Sequence, residues 1–163
     1  MQQMLPTGFP MTKVHGAEVQ SDSDGHPDAW FTYNGKQGPA YVSSVYTYPN
    51  TQEPTTLWYH DHTLGITRLN VYAGLAGFYL LREDKACKKK FSEKRLNLPS
   101  DKYEIPLVIQ DRMFNTDGSL LFANQGLSPD EHPYWAVGFF GDTIVVNGKV
   151  WPNLDVERRQ YRF

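Results

Sequence analysis

The chain has 163 residues, enough for one domain with a sizeable core. A formal net charge of -2 gives no electrostatic case for nucleic acid, and no basic stripe with interleaved aromatics is present. No apolar run is long enough to cross a bilayer, and the start, "MQQMLPTGFPMTKVHG", lacks a basic region followed by an apolar one, so a soluble chain without a secretory signal is expected.

Aromatic residues make up 14% of the chain, and 13 Gly and 11 Pro break up long helices, which favours a β-rich fold with many turns. Residues 1–10 are polar and punctuated by Pro and Gly, and read as an arm before a domain over 11–163. "QSDSDGHPDAW" (20–30) is a turn-rich loop. "AYVSSVYTY" (40–48) suits a strand ended by Pro49-Asn50, and "TTLWYH" (55–60) a second strand running into His60 and His62. In "TLGITRLNVYAG" (63–74) Leu64, Leu69 and Tyr72 partly follow helical spacing, which leaves a short helix open.

"LAGFYLLRE" (75–83) reads as a strand with small residues where another backbone can approach. "DKACKKKFSEKRLNLPSD" (84–101) is a charged, solvated connector, and "YEIPLVIQDRMF" (103–114) a core strand. "NTDGSL" and "VVNGKVW" carry the Asp-Gly and Asn-Gly signals of tight hairpin turns. "LDVERRQYRF" (154–163) alternates like a strand cut short. This string of strands with little helix and no internal repeat suggests a mostly β sandwich or barrel.

The chemistry lies in the five histidines: His15, His26, His60, His62 and His132. On extended backbone, residues i and i+2 share a face, so the imidazoles of His60 and His62 project the same way and can ligate one metal or two adjacent ones. Imidazole suits Cu, Zn, Fe and Ni, so the pair alone does not choose. Asp61 would point away, a poor ligand but a possible anchor for the backbone. His26 and His132, each beside a proline, read as surface residues, and Trp58 and Tyr59 as core packing. Arg68 is open between pairing with a carboxylate near the site and a surface role.

The segments "VHGAEVQSDSDGHPDAWF", "YTYPN", "LWYHDH", "TRLNVYAGLAGFYLLRE", "LNLPSD", "DGSL" and "TIVVNGKVWPNLDVERRQYRF" together resemble the first domain of bacterial multicopper oxidases. The likeness is to the spore-coat laccase type, a group similar to bilirubin oxidases. It implies a cupredoxin-like Greek-key β-sandwich, incomplete at its N-terminal edge, with copper as the cofactor. By resemblance His15, His60 and His62 would ligate the coupled type 3 copper pair. Asp24 would assist catalysis by orienting waters and delivering protons during dioxygen reduction.

Two departures accompany the likeness. The family's first histidine, two residues before His15, is Lys13 here, and an ammonium has no lone pair to offer a metal. Either the type 2 copper position is damaged, or the chain diverges before Val14 and Lys13 lies elsewhere. The family's C-terminal ligand motifs, His-Pro-x-His-x-His and His-Cys-His, do not occur in this sequence. Cys87 sits in the lysine-rich connector, so it reads as a free surface thiol and not as a type 1 copper ligand.

Two functional readings follow. One is a laccase-type oxidase that oxidises phenolic donors and reduces dioxygen, with this chain carrying the first-domain half of the trinuclear copper site. The rest would come from C-terminal domains or from a homo-oligomer, in a cytoplasmic or spore-coat setting. The other is a copper-binding, self-associating module without turnover.

Overall fold

The computed structural model describes residues 12–83, 93–122 and 138–163. Contacts divide the chain into two compact units, Met1–Leu98 and Pro99–Phe163. The proposed arm over residues 1–10, the first half of the charged connector (84–92) with Cys87, and His132 lie outside the described residues.

The first unit is built on a three-stranded antiparallel meander: β1 (Thr12–His15), β2 (Thr56–Asp61) and β3 (Ala76–Leu80), with β2 central. The outer edge of β1 is covered by side chains. Val14 N–H donates to the Tyr48 hydroxyl at 3.2 Å, and Gln52 bonds both Glu18 N and Gly16 O. Such cover blunts an edge that would otherwise offer free backbone groups to another chain. Burial and the Val14 hydrogen bond act in opposite directions on the Tyr48 phenol; burial is the larger, so its pKa is raised.

Between β2 and β3 lies one short helix, α1 (Thr67–Tyr72), which settles the helical alternative for 63–74. It ends in a Schellman motif. Gly74 takes φ 95°, its N–H reaches Val71 O at 3.0 Å, and Leu75 N–H reaches Asn70 O at 2.9 Å. A four-residue helix, α2 (Glu93–Leu96), follows in the charged connector.

The small residues of "LAGFYLLRE" have a clear use. Gly77 pairs with Tyr59 across β2 and β3, and the Tyr59 ring lies over it; a Cβ on Gly77 would sit 2.7 Å from Tyr59 Cζ. Gly77→Ala is therefore expected to lower unfolding free energy by about 1–3 kcal/mol through overpacking. Chemical denaturation measures this, and a variant as stable as the parent would contradict the packing.

The segment 40–48 is not a strand. Two of its backbone donors go to serine side chains instead, Val45 N–H to Ser43 Oγ and Thr47 N–H to Ser23 Oγ, both at 3.0 Å, while Ala40 and Tyr41 N–H reach the carbonyls of Asp28 and Gly38. Serine offers this local alternative to a ladder. Val42 and Val45 consequently stay exposed.

The second unit carries β3's counterpart meander, β4 (Ile109–Arg112), β5 (Thr143–Val146) and β6 (Lys149–Val150), again antiparallel. The Asn147-Gly148 turn joins β5 to β6 with φ 48° and 79°, the left-handed pair that a two-residue hairpin requires. The Asp-Gly turn also forms: Phe114 and Leu120 bridge, and Asn115 N–H meets Ser119 O at 2.8 Å.

Two expectations need correction here. Only Ile109–Arg112 of "YEIPLVIQDRMF" is a strand, and Ile109 is 66% exposed, so it is not a core strand. Pro106 has no N–H to give a ladder. The Asn147 side chain occupies the neighbouring groups, accepting from Val108 N at 2.9 Å and donating to Pro106 O at 3.0 Å.

The segment 154–163 makes no strand either; it is tied by a single bridge between Arg162 and Glu104. Side chains hold it instead. Arg159 lies 3.4 Å from the centre of the Tyr103 ring, and Glu157 receives Lys102 Nζ at 2.8 Å and the Tyr103 hydroxyl at 3.0 Å.

Among the described residues, the fully buried hydrophobics are Val14 in the first unit and Val145 in the second, whereas Ser23, His60, Asp61 and Thr63 are buried polar residues of the first unit. Buried polar groups require partners, so the end of β2 is organised by hydrogen bonds more than by aliphatic packing. No helix among the described residues is long and apolar enough to cross a membrane.

Candidate metal centre

Strand alternation and register assemble one polar face. Trp58 and His60 share a side of β2, and β1 sets His15 opposite Trp58 and Lys13 opposite His60. His60 stacks on Trp58 with ring centres 4.2 Å apart, and the His15 ring lies 5.6 Å from Trp58 and 5.3 Å from His60. His62, just beyond the strand, keeps the same side, with its ring centre 5.7 Å from that of His60. The three histidines expected to act together are brought together.

The hydrogen bonds decide where the ring protons are. His60 Nδ1 lies 2.6 Å from the carbonyl oxygen of Asp61, and a carbonyl only accepts, so Nδ1 carries the proton. His60 Nε2 is then a bare lone pair. In that neutral tautomer His15 Nδ1, 3.1 Å from it, is the donor of the contact and His15 Nε2 is left free. An Nδ1–H bound to a backbone carbonyl is a common way of presenting Nε2 to a metal.

Asp61 behaves as the sequence suggests, pointing off this face and anchoring backbone. It is 2% exposed, and its carboxylate accepts from Thr63 N at 3.0 Å and Thr63 Oγ1 at 3.2 Å. That turn carries His62 between its two ends. The His62 ring is half-buried, and its Nδ1 is sealed from solvent without a hydrogen-bond partner. Burial lowers the His62 pKa below the ordinary imidazole value; the charges of Lys13, His60 and His15 add to the effect, and Asp24 opposes it. These influences favour the neutral ring, the form a metal takes up.

The other candidates sit around this face. Asp24 projects from the 20–25 loop with its side chain 61% exposed, 3.9 Å from Lys13 Nζ. Lys13 does not lie elsewhere: it is in β1, on the face of His15, two residues away. His26 is exposed, as expected, and its Nδ1 accepts from Asp28 N at 3.2 Å. Arg68 is exposed.

Trp58 corrects the expectation of core packing, because it is 41% exposed and its covered face lies on His60. The signal was present in the spacing, since Trp58, His60 and His62 fall on alternate residues. Tyr59, by contrast, packs over Gly77 on the opposite side.

The donor chemistry fits copper in kind and falls short in number. Neutral imidazoles with free ring nitrogens suit copper, and the sealed, unpartnered Nδ1 of His62 marks a group awaiting a partner. Yet among the described residues no three or more His, Cys, Asp or Glu side chains form a ready-made metal-binding group. The contacts are pairwise, with His60 common to both pairs.

Comparison with known proteins agrees with this mostly β framework and its imidazole-lined face. The sequence pattern of the multicopper oxidase family matches residues 10–86. The chain belongs to the multicopper oxidase family, whose cofactor is copper. It is 49% identical over 154 residues to a laccase of Bacillus subtilis, covering 92% of this chain and 29% of that protein. It is 43% identical over 161 residues to the multicopper oxidase LPR1 of Arabidopsis thaliana, covering 98% of this chain and 26% of the relative.

A crystal structure of a variant of the McoA multicopper oxidase from Aquifex aeolicus superposes with a TM-score of 0.67 at 33% identity. It covers 92% of this chain and 29% of its own. The fold is cupredoxin-like, as expected. The chain spans less than a third of the length of these relatives.

Proposed function

We propose that the chain supplies the first-domain imidazoles of the copper cluster of a laccase-type oxidase, with His15, His60 and His62 as ligands. The observation that supports this most is the Nδ1–H of His60 on the Asp61 carbonyl, which turns Nε2 toward His15 as a lone pair. Copper bound there supplies the one-electron steps that couple oxidation of phenolic donors to reduction of dioxygen.

The chain's own residues have separable tasks. His60 is oriented by Asp61 O on one side and by the Trp58 ring on the other. The Asp61 carboxylate holds Thr63, and so the short turn that carries His62. Asp24, exposed and 3.9 Å from Lys13 Nζ, would by the resemblance orient waters and assist proton delivery.

Three imidazoles are too few for a coupled copper pair, so the reading includes further ligands from C-terminal domains or a second copy. By the same resemblance the setting is the cytoplasm or the spore coat. A second reading, a self-associating copper module without turnover, is favoured by the second unit. One face of its sheet carries Ile109 and Ile144, both exposed, on paired strands.

Metal analysis of the purified protein, combined with its mass in solution, tests both readings. Copper retained through dialysis and a mass above one chain are expected, together with dioxygen uptake only where the remaining ligands are supplied. Protein that retains no copper after exposure to it removes the site. A monodisperse monomer removes the assembly, and dioxygen uptake by such a monomer removes the need for further ligands.

A further inference from the structure

The cation on this face is held in place. The Lys13 side chain is 13% exposed, and its stem runs over Gly25, where an added Cβ would come 2.8 Å from Lys13 Cβ and 2.9 Å from Cδ. Gly25 takes φ 73°, so the residue that makes room for the lysine is also the one its backbone favours. Strand register sets Lys13 opposite His60 and on the same side as His15. Asp24 is its recorded counter-ion, but at 3.9 Å and with 61% of its side chain exposed it is solvated and compensates weakly.

A fixed positive charge beside a metal site repels an ion in proportion to that ion's charge. With imidazoles as donors, the exposed Asp24 carboxylate offsets this charge only weakly for a divalent ion. We propose that Lys13 is a specificity-determining residue that biases the His15–His60–His62 cluster toward monovalent copper and against divalent ions. This rests on the reading of those histidines as ligands. It adds a preference between oxidation states and between metals that the imidazoles alone do not supply.

The test is a pair of competition titrations on the purified protein, one with Cu(I) under anaerobic conditions and one with Zn(II) as a divalent probe without redox chemistry. Lys13→Met removes the charge and keeps the apolar stem; Lys13→Arg keeps the charge; Lys13→Gln repeats the neutral test should the methionine variant not fold. The neutral variants are expected to tighten Cu(I) by about tenfold and Zn(II) by about a hundredfold, because the same potential acts on twice the charge. Lys13→Arg should keep the parent's ratio of the two affinities.

Equal tightening of both ions, or none, overturns the role of Lys13. A His60→Ala, His62→Ala double variant measured alongside separates the two levels. If it binds both ions like the parent, the metal lies elsewhere and the ligand reading itself fails. If it loses them while Lys13→Met leaves the ratio unchanged, only the inference about Lys13 fails.

Discussion

Copper affinity is expected to fall by about a hundredfold or more when His60 or His62 is replaced by alanine, and to stay unchanged in His26→Ala. Groups that merely orient a metal ligand are worth about 10–100-fold in affinity, so deleting a ligand costs at least the upper end of that range. His60 has the larger effect, because it is shared by both ring pairs and its Nε2 is the lone pair that His15 already addresses. His26 is the internal control: it is exposed, and its Nδ1 is occupied by Asp28 N. Competition against a coloured copper chelator reads all three variants. Unchanged uptake in the His60→Ala, His62→Ala double variant would rule out the site.

Asp61→Ala is expected to cost about 3 kcal/mol of unfolding free energy. The carboxylate is buried and accepts from both the backbone and the hydroxyl of Thr63, itself buried. Hydrogen bonds to a charged group contribute about 1.5–3 kcal/mol, and the alanine would leave a buried N–H without its acceptor. Asp61→Asn keeps an acceptor oxygen and should lose markedly less. Because the Asp61–Thr63 turn carries His62, copper affinity should fall in the alanine variant even where it remains folded. Denaturant midpoints give the first quantity and chelator competition the second. An alanine variant as stable as its parent would show that the turn is held by other means.

What could be read in the sequence follows a physical divide. Alternation and turn chemistry are local, and they located β2, β3 and both hairpin turns, since Asn147-Gly148 and Asp117-Gly118 leave the backbone few choices. Segment 40–48 has strand-like composition, but Ser43 and Ser23 capture its donors, and the partner Ser23 lies far away in sequence. Segment 154–163 alternates, yet its hold is a cation over the Tyr103 ring and an acid between Lys102 and Tyr103, pairings that no periodicity encodes. The His60–His62 pair was legible because the two fall on alternate residues, whereas His15 joined it only through the resemblance to multicopper oxidases. The exposure of Trp58 and the burial of Lys13 were not, because both depend on which strand lies alongside β2.

The Asn147-Gly148 turn also bears on chemical ageing. An asparagine before glycine is prone to deamidation, because glycine does not hinder its own nitrogen from closing onto the side-chain carbonyl carbon. Here that side chain is engaged at both ends, its oxygen accepting from Val108 N and its nitrogen donating to Pro106 O. The folded hairpin therefore withholds the amide from cyclisation, and unfolding releases it. Conversion to aspartate would put a carboxylate oxygen where Nδ2 now donates, against the carbonyl of Pro106. Damage at Asn147 would therefore record how often this hairpin of the second unit opens.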